Sequence, residues 1–296
     1  MTTIDEKRVY GESEGALSAY VGSSMGVVRV KVSGSAVGEF SLCHRSETRD
    51  VAAGPGSVAI ATEEDVLVAD PTDPDSFAEM DFGPAVGVSY HDEALLAAGP
   101  DGRIGRRLEG DWETLAETLE ADVRAMDGDL LGTENGVYRV HDGELDHAGL
   151  TDVRDVSAAG VPLAATEAGL YKLGNGWMEV RSESFDTVAA DPVSPPGELE
   201  RAHAVSEGVV YEHSSDRSET AEWIRDGELG SGEQTDEDRR ASGANSSDSV
   251  VGFGYGETVY AITSEGTFLA ADTDGWRPHV LGVAGVTGLA IPEPPA

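Results

Sequence analysis

The sequence contains very little lysine and cysteine. Only Lys7, Lys31 and Lys172 are lysines, and Cys43 is the single cysteine. One cysteine excludes an internal disulfide bond and any zinc site built from several cysteines. With 20 basic residues against 56 acidic ones, the formal net charge is −36. Because nucleic-acid-binding proteins need basic side chains to displace counterions from phosphates, this charge argues against direct binding to DNA or RNA, and anionic membranes would repel the chain as well.

Long apolar segments are also absent. No stretch of 18 or more apolar residues occurs, so the sequence predicts no transmembrane helix. The first residues, MTTIDEKRVYGESEG, lack the apolar core of a signal peptide, and we therefore expect a cytoplasmic protein. The acidic, lysine-poor composition is similar to that of proteins from halophiles that accumulate salt, where about 1 M salt screens charges over about 3 Å. It predicts a protein adapted to high salt.

Recognisable catalytic and cofactor motifs are missing too. The chain has no HExxH, no Gly-x-Ser-x-Gly and no phosphate-binding loop, and its seven histidines show no metal-ligand spacing. Cys43 and His44 are adjacent in a predicted strand, so their side chains point to opposite faces and do not form a nucleophile pair. These absences favour a protein that is not an enzyme, and no organic cofactor is predicted.

What the sequence does contain is an internal repeat. A short apolar strand, a polar turn and a second strand recur seven times, with spacings of 39, 37, 34, 33, 39 and 58 residues between turns. The turn positions are Gly26, Asp65, Gly102, Gly136, Gly169, Gly208 and Gly266. The long last gap holds residues 226–249, which are polar and rich in Gly and Ser. This composition predicts a flexible acidic loop inserted into the repeat.

Further short strands complete each repeat. An apolar strand precedes most hairpins, and in four copies a following strand begins near a tryptophan. These tryptophans are Trp112, Trp177, Trp223 and Trp276. Four strands in about 33–45 residues are typical of a propeller blade, so we predict an all-β fold consisting of a single β-propeller domain over residues 1–296. Residues 111–126 are the one segment whose pattern also fits a short helix.

The order of the strands predicts how the ring closes. Residues 286–291 form an inner strand with no hairpin after it, whereas the first hairpin has no clear inner strand before it. If the C-terminal strand completes the first blade, no sheet edge is left open at the junction and the ring has seven blades. Residues 8–10 are the alternative first inner strand, and six blades is the alternative count.

Three repeats resemble those of a known group of propellers. The segments are TENGVYRVHDGEL (133–145), TEAGLYKLGNGWMEV (166–180) and TSEGTFLAADTDGW (263–276). They resemble the repeats of Asp-box propellers and of photosystem II assembly-factor-like propellers, which implies a propeller fold. The box is approximated at residues 272–276. Because the box is a structural turn in those propellers, the resemblance implies no enzymatic activity.

Aspartates precede or open several of the predicted inner strands. In a propeller, equivalent ends of the inner strands surround one mouth of the central channel. A ring of carboxylates there would attract a divalent cation, a basic peptide or an amine. The candidates are Asp50, Asp122, Asp152, Asp186 and Asp248, and Asp155, inside the predicted strand 153–159, adds to this rim. The alternative is that they are turn residues at strand starts.

Two arginines, Arg49 and Arg154, lie beside these aspartates in the sequence. A guanidinium group binds anions and carboxylates well, so the pair forms a second set of candidates for the channel mouth. The alternative is that they offset the aspartates through salt bridges.

These patterns lead to two hypotheses about function. The first is a non-catalytic scaffold that binds a protein partner through one face of the disc in high salt. The second is a channel-mouth enzyme or small-ligand receptor, for example a hydrolase that holds a divalent cation on the aspartate ring. The missing catalytic motifs favour the first.

Overall fold

Twenty-eight β-strands build the part of the chain that the computed structural model describes, which is residues 16–213, 223–228 and 248–293. They form seven four-stranded antiparallel sheets, arranged as blades around a central axis. No helix long and apolar enough to cross a membrane is found among the described residues.

The strands follow one another through the blades in chain order. Blade 1 contains β1 (Leu17–Ser23), β2 (Gly26–Ser33) and β3 (Ala36–His44), and the last strand of the chain, β28 (Val286–Ala290), returns to it. Blades 2 to 4 contain, in order, β4 (Thr48–Gly54), β5 (Ser57–Thr62), β6 (Val66–Asp70) and β7 (Asp73–Glu79); β8 (Gly87–His91), β9 (Ala94–Ala98), β10 (Ile104–Leu108) and β11 (Asp111–Ala116); and β12 (Val123–Asp127), β13 (Leu130–Thr133), β14 (Gly136–His141) and β15 (Glu144–Gly149). Blades 5 to 7 contain, in order, β16 (Val153–Ser157), β17 (Leu163–Thr166), β18 (Leu170–Leu173) and β19 (Trp177–Arg181); β20 (Thr187–Ala190), β21 (Ala202–Ser206), β22 (Val209–His213) and β23 (Trp223–Glu228); and β24 (Val250–Tyr255), β25 (Val259–Thr263), β26 (Thr267–Asp272) and β27 (Gly275–Val280).

The C-terminal strand closes the ring. β28 pairs antiparallel with β1, with Tyr20 opposite Ala290 and Gly22 opposite Gly288, and it occupies the innermost position of blade 1. It contacts the inner strands β24 and β4 on either side. The prediction of seven blades closed by the C-terminal strand is confirmed, and the six-bladed alternative is wrong. Residues 8–10 lie outside the described residues, and β28 holds the place for which they were the alternative.

The repeated hairpin has a local cause in a hydroxyl residue at the end of the second strand. Thr133 Oγ1 donates a hydrogen bond to the carbonyl oxygen of Gly136 at 2.8 Å, and Thr166 Oγ1 donates in the same way to Gly169 at 2.9 Å. Ser23 repeats the contact with Gly26 at 2.8 Å. Such side-chain-to-backbone bonds stabilise tight turns. Ser or Thr stands three residues before glycine in four of the seven hairpins, those of Gly26, Gly136, Gly169 and Gly266.

The glycine in this turn is needed because the chain passes very close to it. A Cβ at Gly26, whose φ is +130°, would lie 2.0 Å from the carbonyl oxygen of His44. Blade 2 has Asp65 at this position instead. Its buried carboxylate accepts hydrogen bonds from the backbone N–H groups of Phe82 and Gly83 at 2.7 and 2.8 Å, which fixes the loop leading to blade 3.

The hydrophobic core lies between neighbouring blades rather than at one centre. The second strand of each blade is rich in small or branched apolar residues and is mostly buried, and β9 and β25 are buried along their whole length. Between blades 1 and 7, for example, Val30 packs in one cluster with Ile262 and Phe268. Two tryptophans of the outer strands also tie blades together, because the indole N–H of Trp112 donates to Met80 and that of Trp177 donates to Ala148, at 2.7 and 2.9 Å.

Two segment predictions need correction or completion. Of residues 111–126, the first six form the outer strand β11, so the helical alternative is wrong; their backbone pairs with β10 and continues the sheet of blade 3. The predicted loop at residues 226–249 begins three residues too early, because residues 226–228 belong to β23 and pair with β22. Residues 229–247 of that predicted loop lie outside the described residues.

Candidate functional site

The seven inner strands enclose a channel of about 850 Å³ along the axis of the disc. All seven begin at the same face, which we call the front face, and end at the opposite back face. One edge of each inner strand pairs with the second strand of its blade, and the other edge has no strand partner among the residues that the structure describes. Because unpaired backbone N–H groups are costly when buried, this edge needs other acceptors.

Asp50 and Asp155 supply such acceptors at two blade junctions. Asp50 accepts from the backbone N–H of Val51 in its own strand at 2.8 Å and from that of Val88 in the next blade at 2.9 Å. Asp155 accepts in the same way from the N–H groups of Val156 and Val188, at 2.9 and 2.8 Å. Each carboxylate therefore joins its inner strand to the neighbouring one while lining the channel.

A third carboxylate, Asp127, performs the same task nearer to the back face. It ends β12 and accepts from the backbone N–H of Ala158 in blade 5 at 2.8 Å. Asp127 was not among the predicted residues, because it ends its inner strand and the predicted ring was built mainly from aspartates near strand starts. The sequence does contain a signal for this position. Successive side chains of a strand point to opposite sides, so residues 125 and 127 of β12 lie on the same side.

Hydroxyl groups join blades 3 and 4 and blades 6 and 7, and one of them adds to the contact of Asp155 between blades 5 and 6. Ser89 donates to the carbonyl oxygen of Gly128 at 2.9 Å, and Ser157 accepts from the N–H of Ala190 at 3.0 Å. Thr187 donates to Val250 between blades 6 and 7 at 3.1 Å. A neutral group thus suffices to join two blades, so the negative charge of the three aspartates is not required for the junction itself.

The three channel carboxylates have raised pKa values. Burial at the centre of the molecule raises the pKa of Asp50 and of Asp155 to about 7, and the negative charge of Asp127 nearby adds to both shifts. Burial likewise raises the pKa of Asp127. The hydrogen bonds from the backbone N–H groups act in the opposite direction because they favour the ionised form, but burial outweighs them.

The other predicted aspartates are separate from this group. Asp122, Asp152, Asp186 and Asp248 are exposed residues of the front face, each next to the start of an inner strand. Asp152 has a φ of +49°, as expected of a turn residue, and Asp248 accepts from the backbone N–H of Glu265 at 3.2 Å. The predicted ring is therefore divided into an exposed set at the mouth and a half-buried set in the wall.

The two predicted arginines make ion pairs at the front face. Arg49 contacts Glu63 at 2.6 Å within blade 2. Arg154 contacts Glu167 in its own blade and Asp186 at the start of blade 6, the latter at 2.5 Å. Both arginines thus engage carboxylates, and Arg154 joins two blades across the channel mouth.

A buried hydrogen-bonded pair, His203 and Tyr255, lies between blades 6 and 7 near the back end of the channel. Burial lowers the pKa of His203 to about 3, so its ring is neutral. The hydroxyl group of Tyr255 donates to the carbonyl oxygen of Ala189 at 2.8 Å, which leaves its oxygen to accept from Nδ1 of His203 at 3.1 Å. This network satisfies the buried polar atoms and joins β24 to β20. No sequence pattern indicated it, because its members are far apart in the chain.

Within the described residues, no group of three or more His, Cys, Asp or Glu side chains has an arrangement that would hold a metal ion. The channel carboxylates are instead occupied with backbone donors on two sides. Chemically, the channel offers a proton-binding, cation-attracting wall, and the front face offers a charged, exposed rim.

Comparison with solved structures identifies the fold. The human protein WBSCR16 aligns with a TM-score of 0.58 at 12% identity, covering 86% of this chain and 88% of that one. The Pan2 WD40 domain of Neurospora crassa aligns with a TM-score of 0.55 at 12% identity, covering 84% and 86%. YCF48 bound to D1 peptide aligns with a TM-score of 0.52 at 14% identity, covering 80% and 83%. At these identities the likeness is one of fold.

Sequence comparison places the chain in a family. No curated protein matches the chain. The family model described as "Beta-prop_HVO_0234:-like, beta propeller" matches residues 3–292. Because this match covers almost the whole sequence, the chain belongs to the HVO_0234-like β-propeller family.

Proposed function

We propose that this chain is a non-catalytic propeller scaffold that binds a protein partner through its front face, in a high-salt cytoplasm. The observation that carries the proposal is the exposed charged rim around the channel mouth. Four aspartates stand at the starts of inner strands, and the hairpin turns present further exposed carboxylates such as Glu207 and Glu265 beside them. Loops held by a rigid ring are typical binding surfaces.

The distribution of charge on this rim indicates what kind of partner fits. In blades 2 and 5, an arginine of the inner strand neutralises the glutamate of the adjacent hairpin, as Arg49 does for Glu63. In blades 6 and 7 the corresponding inner-strand positions are Asp186 and Val251, so Glu207 and Glu265 have no such arginine. The acidic side of the rim would therefore attract a basic segment of the partner.

A structural neighbour supports this mode of use. The YCF48 structure that aligns with this chain has a peptide bound to it. That complex concerns another protein of the same fold, and it shows that a propeller of this kind is compatible with peptide recognition.

The proposal is tested by affinity purification of the tagged full-length chain from its native host, in about 2 M KCl so that charges stay screened. The front-face variant Glu207→Lys/Glu265→Lys is compared with the back-face variant Glu93→Lys/Glu144→Lys, which changes the net charge equally. We expect a stoichiometric partner that is lost with the front-face variant and retained with the back-face one. Equal retention by both variants would contradict the proposal.

A second candidate function is a channel receptor for a small cation, or a hydrolase that depends on a divalent cation. The half-buried carboxylates that line the 850 Å³ channel favour it. Titration of calcium chloride by calorimetry in about 2 M KCl tests it. Heat at a stoichiometry near one that disappears in Asp155→Asn but persists in Asp122→Asn would support this candidate, whereas a flat trace would remove it.

A further inference from the structure

The front face of blade 1 interrupts the acidic rim. Each blade presents two loops at this face, the hairpin between its second and third strands and the connection that leads into its inner strand. In blade 1 these loops are residues 24–25 (SM) and 281–285 (LGVAG), which contain no charged side chain. In each of the other six blades, the described residues of both loops include at least one carboxylate. The hairpin carboxylates are Glu63, Asp101, Glu134, Glu167, Glu207 and Glu265.

Two exposed apolar side chains stand in this gap. Met25, in the hairpin of blade 1, is 50% exposed, and Val280, which ends β27 directly before the connection, is 72% exposed. The other large apolar side chains that are exposed among the described residues lie elsewhere, on the outer strands β3, β19 and β23 or at the back face. We call Met25, Val280 and residues 281–285 the front apolar patch.

Hydrogen bonds fix the connection between the hairpins of blades 1 and 7. The backbone N–H of Ser24 donates to the carbonyl oxygen of Gly285 at 3.0 Å, and its hydroxyl group donates to that of Ala284 at 2.9 Å. At the other end, the backbone N–H of Leu281 donates to the carbonyl oxygen of Gly266 at 2.9 Å. The patch is therefore a preformed surface, and a partner loses little free energy in ordering it.

The charges beside the patch differ between its two sides. Toward blade 7, Asp248 and Glu265 are exposed, and no arginine or lysine of the described residues pairs with them. Toward blade 2, Arg49 already pairs with Glu63 at 2.6 Å, and Arg45 is exposed in the connection that follows β3. A basic group beside the patch is therefore attracted to the blade 7 side.

We propose that the front apolar patch anchors the protein partner by taking a segment in which an apolar side chain stands next to a lysine or arginine. The apolar side chain covers Met25, whose flexible thioether adapts to its shape. The basic side chain reaches Asp248 or Glu265 on the blade 7 side. An apolar centre with charges at its edge is the usual arrangement of an interface hot spot. The proposal rests on the scaffold function proposed above.

High salt is a reason for an apolar anchor on this face. At about 1 M salt, charges are screened beyond about 3 Å, so the acidic rim alone attracts a basic segment only weakly. Burial of apolar surface does not depend on charge and persists under these conditions. The patch therefore supplies affinity, and the two carboxylates beside it select the basic neighbour.

Photo-cross-linking from residue 25 tests the proposal. In a Cys43→Ser background, Met25→Cys and the control Met178→Cys are labelled with a maleimide-benzophenone reagent; the native side chains are 50% and 48% exposed. Each labelled full-length chain is irradiated in a lysate of the native host in about 2 M KCl, and cross-linked peptides are sequenced by mass spectrometry. We expect position 25, and not position 178, to capture one protein at a segment with Lys or Arg beside an apolar residue. Equal capture from both positions, capture of a segment without a basic residue, or a cross-link within this same chain would overturn the proposal.

Affinity for a synthetic peptide of the captured segment gives a quantitative readout. The peptide is titrated with the full-length chain in about 2 M KCl, and binding is followed by fluorescence anisotropy. Met25→Glu should raise the Kd about tenfold or more, whereas Met25→Leu and the control Met178→Glu should each change it by less than about twofold. Equal Kd values for Met25→Glu and Met178→Glu would contradict the anchor.

The charge variant Glu207→Lys/Glu265→Lys separates the apolar anchor from the scaffold function. A partner that is lost with this variant but binds Met25→Glu as tightly as the wild type would overturn the anchor and leave the scaffold function standing. A partner that is retained equally by the front-face and back-face charge variants would overturn both.

Discussion

Replacing Asp50 by asparagine is predicted to change how the stability of the protein depends on pH. Burial raises the pKa of Asp50 to about 7 in the folded chain, whereas aspartate in an unfolded chain has a pKa of about 3.9. The folded state therefore holds this proton more tightly than the unfolded state does. The resulting stabilisation is complete below about pH 4 and is lost as the pH rises through about 7.

The magnitude follows from the difference between the two pKa values. About three units correspond to about 4 kcal/mol, at about 1.4 kcal/mol per unit. Because Asp50 borders the open channel, where water can solvate its charge, we reduce this to about 2 kcal/mol, lost between about pH 4 and pH 7. Asparagine does not titrate, and its one carbonyl oxygen can accept only one of the two backbone bonds, at a cost of about 1 kcal/mol at every pH.

The two stability curves are therefore expected to cross. Asp50→Asn should be less stable than the wild type at about pH 5 and equally or more stable at about pH 8. Guanidinium chloride unfolding followed by tryptophan fluorescence, in about 2 M KCl between these pH values, measures this. Asp122→Asn, which removes an exposed carboxylate of the front face, is the matched control and should run parallel to the wild type. Parallel curves for Asp50→Asn and the wild type would refute the reasoning.

Three further predictions concern the charge and the hairpins. Unfolding should lose cooperativity as KCl falls from about 2 M to about 0.1 M, because 36 net negative charges become unscreened; identical melting curves would contradict this. Gly26→Ala should lower the free energy of unfolding by about 3 kcal/mol, because the added Cβ would collide with the carbonyl oxygen of His44. Gly275 also has a positive φ but has open space around it, so Gly275→Ala should lower the free energy of unfolding by only about 1 kcal/mol. Thermal unfolding of both variants measures the difference. Asp65→Ala should cost about 3 kcal/mol by leaving buried N–H groups without acceptors, and Asp65→Asn should recover part of this; equal losses in both variants would point to packing instead.

The architecture was predictable because its signals are local and repeated. Each copy is a polar turn between two short apolar strands, with glycine at six of the seven turn positions, and seven copies of one signal outweigh the ambiguity of any single strand. Closure was predictable because β28 was an inner strand without a hairpin of its own. The boundary of the loop near residue 226 was not, since β23 is polar and its pairing with β22 shows only in the sheet register.

The candidate site was predictable only in part. Sequence position indicated which aspartates lie near the front face, but it did not distinguish the exposed Asp122 from Asp50, whose carboxylate reaches the next blade. That difference depends on a contact between residues 38 positions apart, Asp50 and Val88. Asp127 and the pair of His203 with Tyr255 were missed for the same reason, because long-range contacts between blades leave no local pattern.

Cross-linking of the purified complex with a carboxylate-directed dihydrazide reagent, read by mass spectrometry, tests the scaffold proposal most directly. This chemistry suits the chain because it has 56 acidic residues and only three lysines. The account predicts that the cross-links from this chain to its partner concentrate at front-face carboxylates such as Asp122, Glu207 and Glu265. Cross-links concentrated at back-face carboxylates such as Glu93 and Glu144, or spread evenly over both faces, would contradict it.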